Sequence, residues 1–268
     1  MTPELKRALR TDFESFVRKA HGEPLEDPYI EYLCYELGQV PRGRNRRLIV
    51  SLPPRHLKTF TCSVCLPAYI LGRQPEAKVL VITYGENLAA GIAHGIRTLL
   101  RTPWFKAAFS TRLAADRNRV TDFATTAGGG VYAQPIGGQV TGYGAHYTIV
   151  DDPLEMKDAN NVVRIAFVNE RFDEAVRTRF DHPGSGVMVI VAHRLNEADL
   201  AGHVLAEGDW KHIVLPFEAT RDQVYDLGNG RTWKRTEGEL LRPDEFSRKE
   251  CERLRKTGNF RALYQQDP

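Results

Sequence analysis

Apolar residues in this chain fall into short runs, separated by stretches with helical spacing. LIVSL at 48–52, VLVIT within 78–84, YTIV at 147–150, VMVIV within 187–192 and residues 212–215 are predicted strands. Their β-branched residues occupy consecutive positions rather than alternate ones, as expected of strands covered by helices on both faces. Predicted helices occupy 59–71, 86–100, 160–179 and 196–207, the last with Asn196 as its N-cap. This alternation predicts an α/β domain with a mostly parallel central sheet flanked by helices. Residues 116–146 are rich in Gly, Thr and Ala, with Gly128-Gly129-Gly130 and Gly137-Gly138, and predict a hairpin or a mobile loop. Beyond residue 218 the strand signal fades into a polar tail with one helix at 247–256. The expected division is a main domain at 1–218, opening with a helical, basic lead-in at 1–45, and a small C-terminal subdomain or linker at 219–268.

Composition narrows the picture only a little. The 268 residues suffice for one large domain with an appendage, and 42% hydrophobic with 26% charged residues is ordinary for a globular protein. No apolar run approaches the roughly 18 residues of a membrane span, and Met1 to Arg10 carry charges where a signal peptide needs an apolar run. A cytosolic protein without a membrane partner is expected. Cys62 and Cys65 form a CxxC, but no second pair completes a zinc site, so both read as buried small residues. A net charge of +3 does not diagnose a nucleic-acid partner. The dense group Arg42, Arg44, Arg46 and Arg47 is the candidate DNA-facing patch, set against the plainer reading of a solvated loop.

The first strand runs into Pro53-Pro54-Arg55-His56-Leu57-Lys58-Thr59 and then a helix. Strand, short loop, Lys-Thr, helix is the context of a phosphate-binding loop. Backbone N–H groups and the helix N-terminus favour an anion there. Lys58 would reach the β- and γ-phosphates, and the Thr59 hydroxyl would hold Mg²⁺. The loop departs from GxxxxGK[ST], with Leu52 at the first Gly and Leu57 at the second. A Cβ at 57 crowds the phosphate position or resists the required dihedrals. The strand at 147–150 ends in Asp151-Asp152. Asp151 there is a candidate Mg²⁺ ligand and Asp152 a candidate for orienting the attacking water, since nucleotide sites form at the carboxyl ends of parallel strands.

These residues resemble the large terminase subunit of tailed bacteriophages, the motor that packages DNA into proheads. PPRHLKT at 53–59 is similar to that family's PPRHGKS, and Asp151-Asp152-Pro153 to its DDP strand end. HRLNEADLAG at 193–202 looks like TRWHEDDLAG, and ALYQQDP at 262–268 like the segment before the family's nuclease domain. The resemblance implies a P-loop NTPase fold of the additional-strand, RecA-like class, here as the ATPase domain with the RNase H-like nuclease domain absent. It implies ATP and Mg²⁺ as cofactors, with Pro54, Arg55, His56, Leu57, Lys58 and Thr59 around the nucleotide and Thr59 with Asp151 on the metal. Lys58, Asp152, Arg55 and Arg194 take the catalytic roles. Glu155 is a substitute for Asp152, and Arg177 and Arg179 are fallbacks for the γ-phosphate arginine. The family's Gly-Arg-Gly segment is replaced by Thr141-Gly142-Tyr143-Gly144, with Tyr143 in the place of the Arg.

The implied function is ATP hydrolysis coupled to translocation of double-stranded DNA through non-specific phosphate contacts. The implied partners are the portal or prohead, the small terminase subunit and further copies in a homo-oligomeric ring, in the host cell cytoplasm. The alternatives are a helicase-like ATPase and a P-loop scaffold with weak or no hydrolysis.

Overall fold

The computed structural model describes residues 1–139, 142–182 and 184–268. The chain opens with helices α1 (Pro3–Thr11), α2 (Phe13–His21) and α3 (Pro28–Gly38), the first two capped by the side chains of Thr2 and Asp12. Strand β1 (Arg47–Ser51) leads through the loop at 52–58 into a π-helical turn, Thr59–Cys65, that continues as α4 (Leu66–Arg73). Then come β2 (Lys78–Thr83), α5 (Glu86–Arg101), α6 (Pro103–Ala108), β3 (Leu113–Asn118), β4 (Asp122–Thr125), β5 (Gly130–Pro135) and β6 (Tyr147–Asp151). α7 (Val162–Arg171), β7 (Val187–Val191), α8 (Leu200–Leu205) and β8 (Lys211–Val214) follow. Last are β9 (Gln223–Gly228), β10 (Arg231–Arg235) and α9 (Arg248–Arg255).

Eight strands form one sheet in the order β3-β4-β5-β2-β6-β7-β1-β8. From β5 to β8 every neighbour is parallel, and β4 and β3 add antiparallel at one edge. Side chains alternate across the sheet. Leu48, Val50, Val187, Val189 and Val191 face one core with α1 to α6, while Ile49, Met188 and Ile190 face a second with α7 and α8. Both faces are covered, which is why the runs are almost wholly apolar, with the small hydroxyls of Ser51, Thr83 and Thr148 among them. β7 lies between β1 and β6, so Val191 is in register with Val50 on one side and Asp151 on the other. This is the additional-strand arrangement. The fold is a P-loop-type α/β fold with a mostly parallel, helix-flanked sheet. Among the described residues, no helix is long and apolar enough to cross a membrane.

The structure revises several sequence expectations. Of the two expectations for the Gly-rich stretch, a hairpin or a mobile loop, the hairpin holds and is extended by one strand: β3 pairs antiparallel with β4 and β4 with β5 over 113–135, with Gly129 and Gly130 at the sharp entry to β5. The helix expected from 196 begins at Leu200 and is capped by Asp199, not Asn196. The Asp199 carboxylate takes the amides of Leu195 and Gly202 and the Arg194 guanidinium, so the preceding segment wraps around it instead of coiling. The tail contains a hairpin, β9 and β10, where no strand was expected. Asn229 and Gly230, at φ of 54° and 74°, make the tight left-handed turn typical of two-residue hairpins. Tyr225, Leu227 and Trp233 of this hairpin join the main core, while Phe217, Leu240 and Cys251 gather a small cluster with Phe246, Phe260 and Tyr264. Thr141 lies outside the described residues. All four cysteines are buried free thiols, and burial pushes those of Cys62 and Cys65 far up.

A Cβ at position 129 would lie 2.4 Å from the carbonyl oxygens of Pro75 and Ala77, both backbone atoms that cannot swing away. Gly129→Ala is therefore expected to destabilise the fold by about 1–3 kcal/mol, read as a lower urea midpoint. An unchanged midpoint would mean that β5 does not enter the sheet by this turn.

Candidate nucleotide site

The carboxyl ends of β1, β7 and β6 lie side by side, and the loop after β1 crosses above them. Two prolines, Pro53 and Pro54, hold the loop extended as it leaves the strand and contribute no N–H. The amides of Arg55, His56, Leu57 and Lys58 donate to no acceptor among the described residues. Arg55 and Leu57 stand at φ of 66° and 55°. Leu57 thus adopts the left-handed conformation that a glycine would take without cost. Its side chain is held by packing against the main core.

Lys58 and Asp151 are 6% and 0% exposed. The Lys58 ammonium is ion-paired with Asp152 Oδ2 and lies 4.0 Å from Asp151 Oδ1. The Thr59 hydroxyl donates to Asp151 Oδ1 at 3.4 Å, and the Ser63 hydroxyl lies beside the same carboxylate. Asp151 Oδ2 is buried with no hydrogen-bond partner among the described residues. Burial pushes the Asp151 carboxyl up to about 6 despite the pull of Lys58. Burial acts on Asp152 in the same sense, but Lys58 and His193 outweigh it and hold this carboxyl below the usual range. Asp152 reaches Lys58 because its backbone turns through φ 43° at the strand end. Its amide donates to Val191 O at 2.7 Å, and its Oδ1 accepts from the His193 amide at 3.3 Å. An orphaned, fully buried carboxylate oxygen next to a threonine hydroxyl is a donor set that suits a small hard cation such as Mg²⁺.

The remaining sequence-derived candidates scatter. Arg55 is exposed on the loop. His56 points away from the loop's upper surface and is fully buried. Its Nδ1–H donates to Pro54 O at 2.7 Å, and its ring stacks on Phe246 with 5.4 Å between centroids. Burial lowers this imidazole to about 4. The Arg194 guanidinium is taken by Asp199, with both carboxylate oxygens 3.1 Å from Nε. Glu155 pairs with Lys157 at 2.7 Å. Arg177 and Arg179 sit at the opposite, amino end of the sheet, beside the bridge between Ala145 and Phe180. Tyr143 stacks on Tyr132 at 3.5 Å. A cleft of about 470 Å³ opens beyond β6 and β7, lined by Met156, Asn160, Leu195, Glu197, Arg261 and Asp267, and none of the phosphate or metal candidates reaches it.

Two residues at the site carried no sequence signal. Ser63 is hidden within an apolar helix start, and Arg242 lies far along the chain. Arg242 donates to Arg55 O at 3.2 Å.

No protein-family model and no curated protein matches the chain. Among solved structures, the large terminase of the HK97 bacteriophage superimposes with a TM-score of 0.53 at 15% identity. The match covers 99% of this chain and 55% of that one, so the chain spans about half the terminase's length. The chain therefore has a terminase-like fold.

An unfolded imidazole titrates near 6.5 and the folded His56 near 4. Between those values the unfolded chain binds the proton that the folded chain refuses, so stability falls as pH drops through this window. Asn at position 56 can keep the N–H donor to Pro54 O but does not titrate. His56→Asn is expected to reduce the loss of stability between pH 7 and pH 4.5 by on the order of 2 kcal/mol, measured by urea denaturation at both pH values. An identical loss in both proteins would place His56 in solvent.

Proposed function

We propose that this chain is the ATPase motor domain of a DNA-packaging terminase, hydrolysing ATP to move double-stranded DNA into a prohead. What supports this most is the convergence of Lys58, Asp151 and Asp152 beneath a loop of four amides that have no acceptor among the described residues. In this reading the amides of Arg55 to Lys58 bind phosphate oxygens, and Lys58 leaves Asp152 for the β- and γ-phosphates. Asp152, freed of its cation, becomes a better base and orients the attacking water. Thr59 and Asp151 hold Mg²⁺, which when bound supplies positive charge against the phosphates. Arg55 adds charge from the exposed side of the loop. Arg194 stays with Asp199 and acts at a distance, linking His193 and the pocket to α8. Residues 1–218 form the motor unit and 219–268 a small unit packed on it. The working assembly is a ring of copies on the portal, with a small terminase subunit, in the host cytoplasm.

A DNA partner gains support from a belt of exposed cations around α1. Arg10 donates to Ala108 O, Arg42 to Thr11 O at 3.3 Å, and Arg112 to Phe109 O at 2.8 Å. Arg73 donates to the Tyr69 hydroxyl, which in turn donates to Arg10 O. These guanidinium groups are anchored by neutral acceptors, so their charge is left for phosphates.

A second reading, a P-loop scaffold that binds nucleotide without turnover, draws on Leu57 and on the engagement of Lys58 by Asp152. Turnover separates the two readings.

Lys58→Ala and Asp151→Asn are each expected to reduce DNA-stimulated ATPase activity at least 100-fold and to abolish the thermal shift given by Mg-ATP. Wild-type activity in both variants would remove the site assignment, and a thermal shift with no hydrolysis by the wild type would favour the scaffold. In titrations of a random-sequence duplex, Arg42→Glu with Arg112→Glu is expected to weaken binding tenfold or more. The slope of log affinity against log salt should also shrink by about 2. Unchanged affinity would move the DNA contact off this belt.

A further inference from the structure

A phosphate-binding loop normally relies on glycine before its lysine, and this loop has none. It nevertheless adopts two left-handed residues, Arg55 and Leu57. A conformation of this kind is disfavoured for an L-residue and persists only where the surroundings impose it. The surroundings here come from distant parts of the chain. Arg242, in the segment between β10 and α9, donates through Nη1 to Arg55 O at 3.2 Å. The same guanidinium lies 3.4 Å from Asp27, just before α3, and 3.3 Å from Glu245. One guanidinium thus links a loop carbonyl and Glu245 through hydrogen bonds and Asp27, just before α3, through its charge. Next to it, His56 is enclosed by Tyr29, Phe217 and Phe246, with ring centroids 5.9, 5.8 and 5.4 Å away. Arg55 and His56 are consecutive, so the backbone of one and the side chain of the other are gripped by the same segment.

We propose that Arg242 is a positioning residue for the phosphate-binding loop, which, together with the aromatic enclosure of His56, imposes the backbone conformation that glycine would otherwise permit. The proposal rests on the reading of 53–59 as a nucleotide loop. It makes the segment around 242–246 part of the nucleotide site although it touches no nucleotide. Arg242 is 14% exposed and holds its two carboxylates in place, so its role is geometric rather than chemical.

The test compares Arg242→Ala and Arg242→Lys in the wild-type and in the Leu57→Gly background. Lysine keeps the charge for Asp27 but lacks the fork, which guards against a variant that merely fails to fold. KM and kcat for Mg-ATP are measured, together with exchange of the Thr61 amide, which donates to Leu57 O at 2.9 Å and reports the loop without nucleotide. In the wild-type background both variants are expected to raise KM about tenfold, with kcat changed less than threefold. Thr61 exchange should quicken while amides in β7 stay protected. With Gly at 57 the KM effect should shrink below threefold, because only Arg55 is then left in a conformation that has to be imposed. An equal KM increase in both backgrounds would overturn the proposal, as would unchanged Thr61 exchange or a uniform loss of protection across the sheet. If the wild type neither binds nor hydrolyses ATP, the nucleotide reading fails on its own, and the Thr61 comparison still decides whether Arg242 holds the loop.

Discussion

A carboxylate without water around it must find a cation or a proton, and Asp151 poses that demand at the centre of this fold. It ends the most enclosed part of the sheet, with strands on both sides and helical layers above and below. Lys58 answers part of the demand and Thr59 another part, but one oxygen has no hydrogen-bond partner among the described residues. Burying an ion pair is not a way to gain stability, because desolvation offsets most of the attraction. A fold that keeps such a group, strains its neighbouring loop and, among the described residues, leaves four amides unbonded is spending stability on a pocket.

The loop, the strand tips and the tail form one mechanical unit through this demand. Asp152 turns back to share Lys58, and its other oxygen receives the His193 amide from the neighbouring strand end. From His193 the chain runs through Arg194, whose amide donates to Gln266 Oε1 at 3.1 Å, into the cap of α8. A change in which partner Lys58 chooses thus has a short covalent and hydrogen-bonded route to α8 and to the end of the chain.

How much of this was legible in the sequence follows from burial. β1, β2, β6 and β7 announced themselves because strands enclosed on both faces need almost wholly apolar runs, whereas β8, at the sheet edge with Lys211 exposed, showed only as the short run after His212. β4, β9 and β10 mix core and solvent positions over a few residues, and β3 buries none of its residues fully, so polar positions break up their apolar signal. The Asn229-Gly230 turn was the one local signal for the last pair. The proximity of Lys58 to Asp151 was legible because both follow strands of one parallel sheet. The attachment of Arg194 to Asp199 depends on a capping geometry that a motif does not reveal. The burial of His56 and the reach of Arg242 depend on tertiary packing across nearly the whole chain. Leu57, conspicuous as a departure, gains its meaning only from its dihedrals and from the contacts that enforce them.

β7 has a consequence of its own. Val191 is the common neighbour of Val50 and Asp151, so the strand that carries the loop and the strand that carries the carboxylates never touch directly. Their spacing is fixed by the width of a third strand, about 4.8 Å to either side. The pocket therefore has a built-in gauge: no rearrangement of the surrounding helices can bring the two halves closer or force them apart without first breaking the ladder in the middle of the sheet.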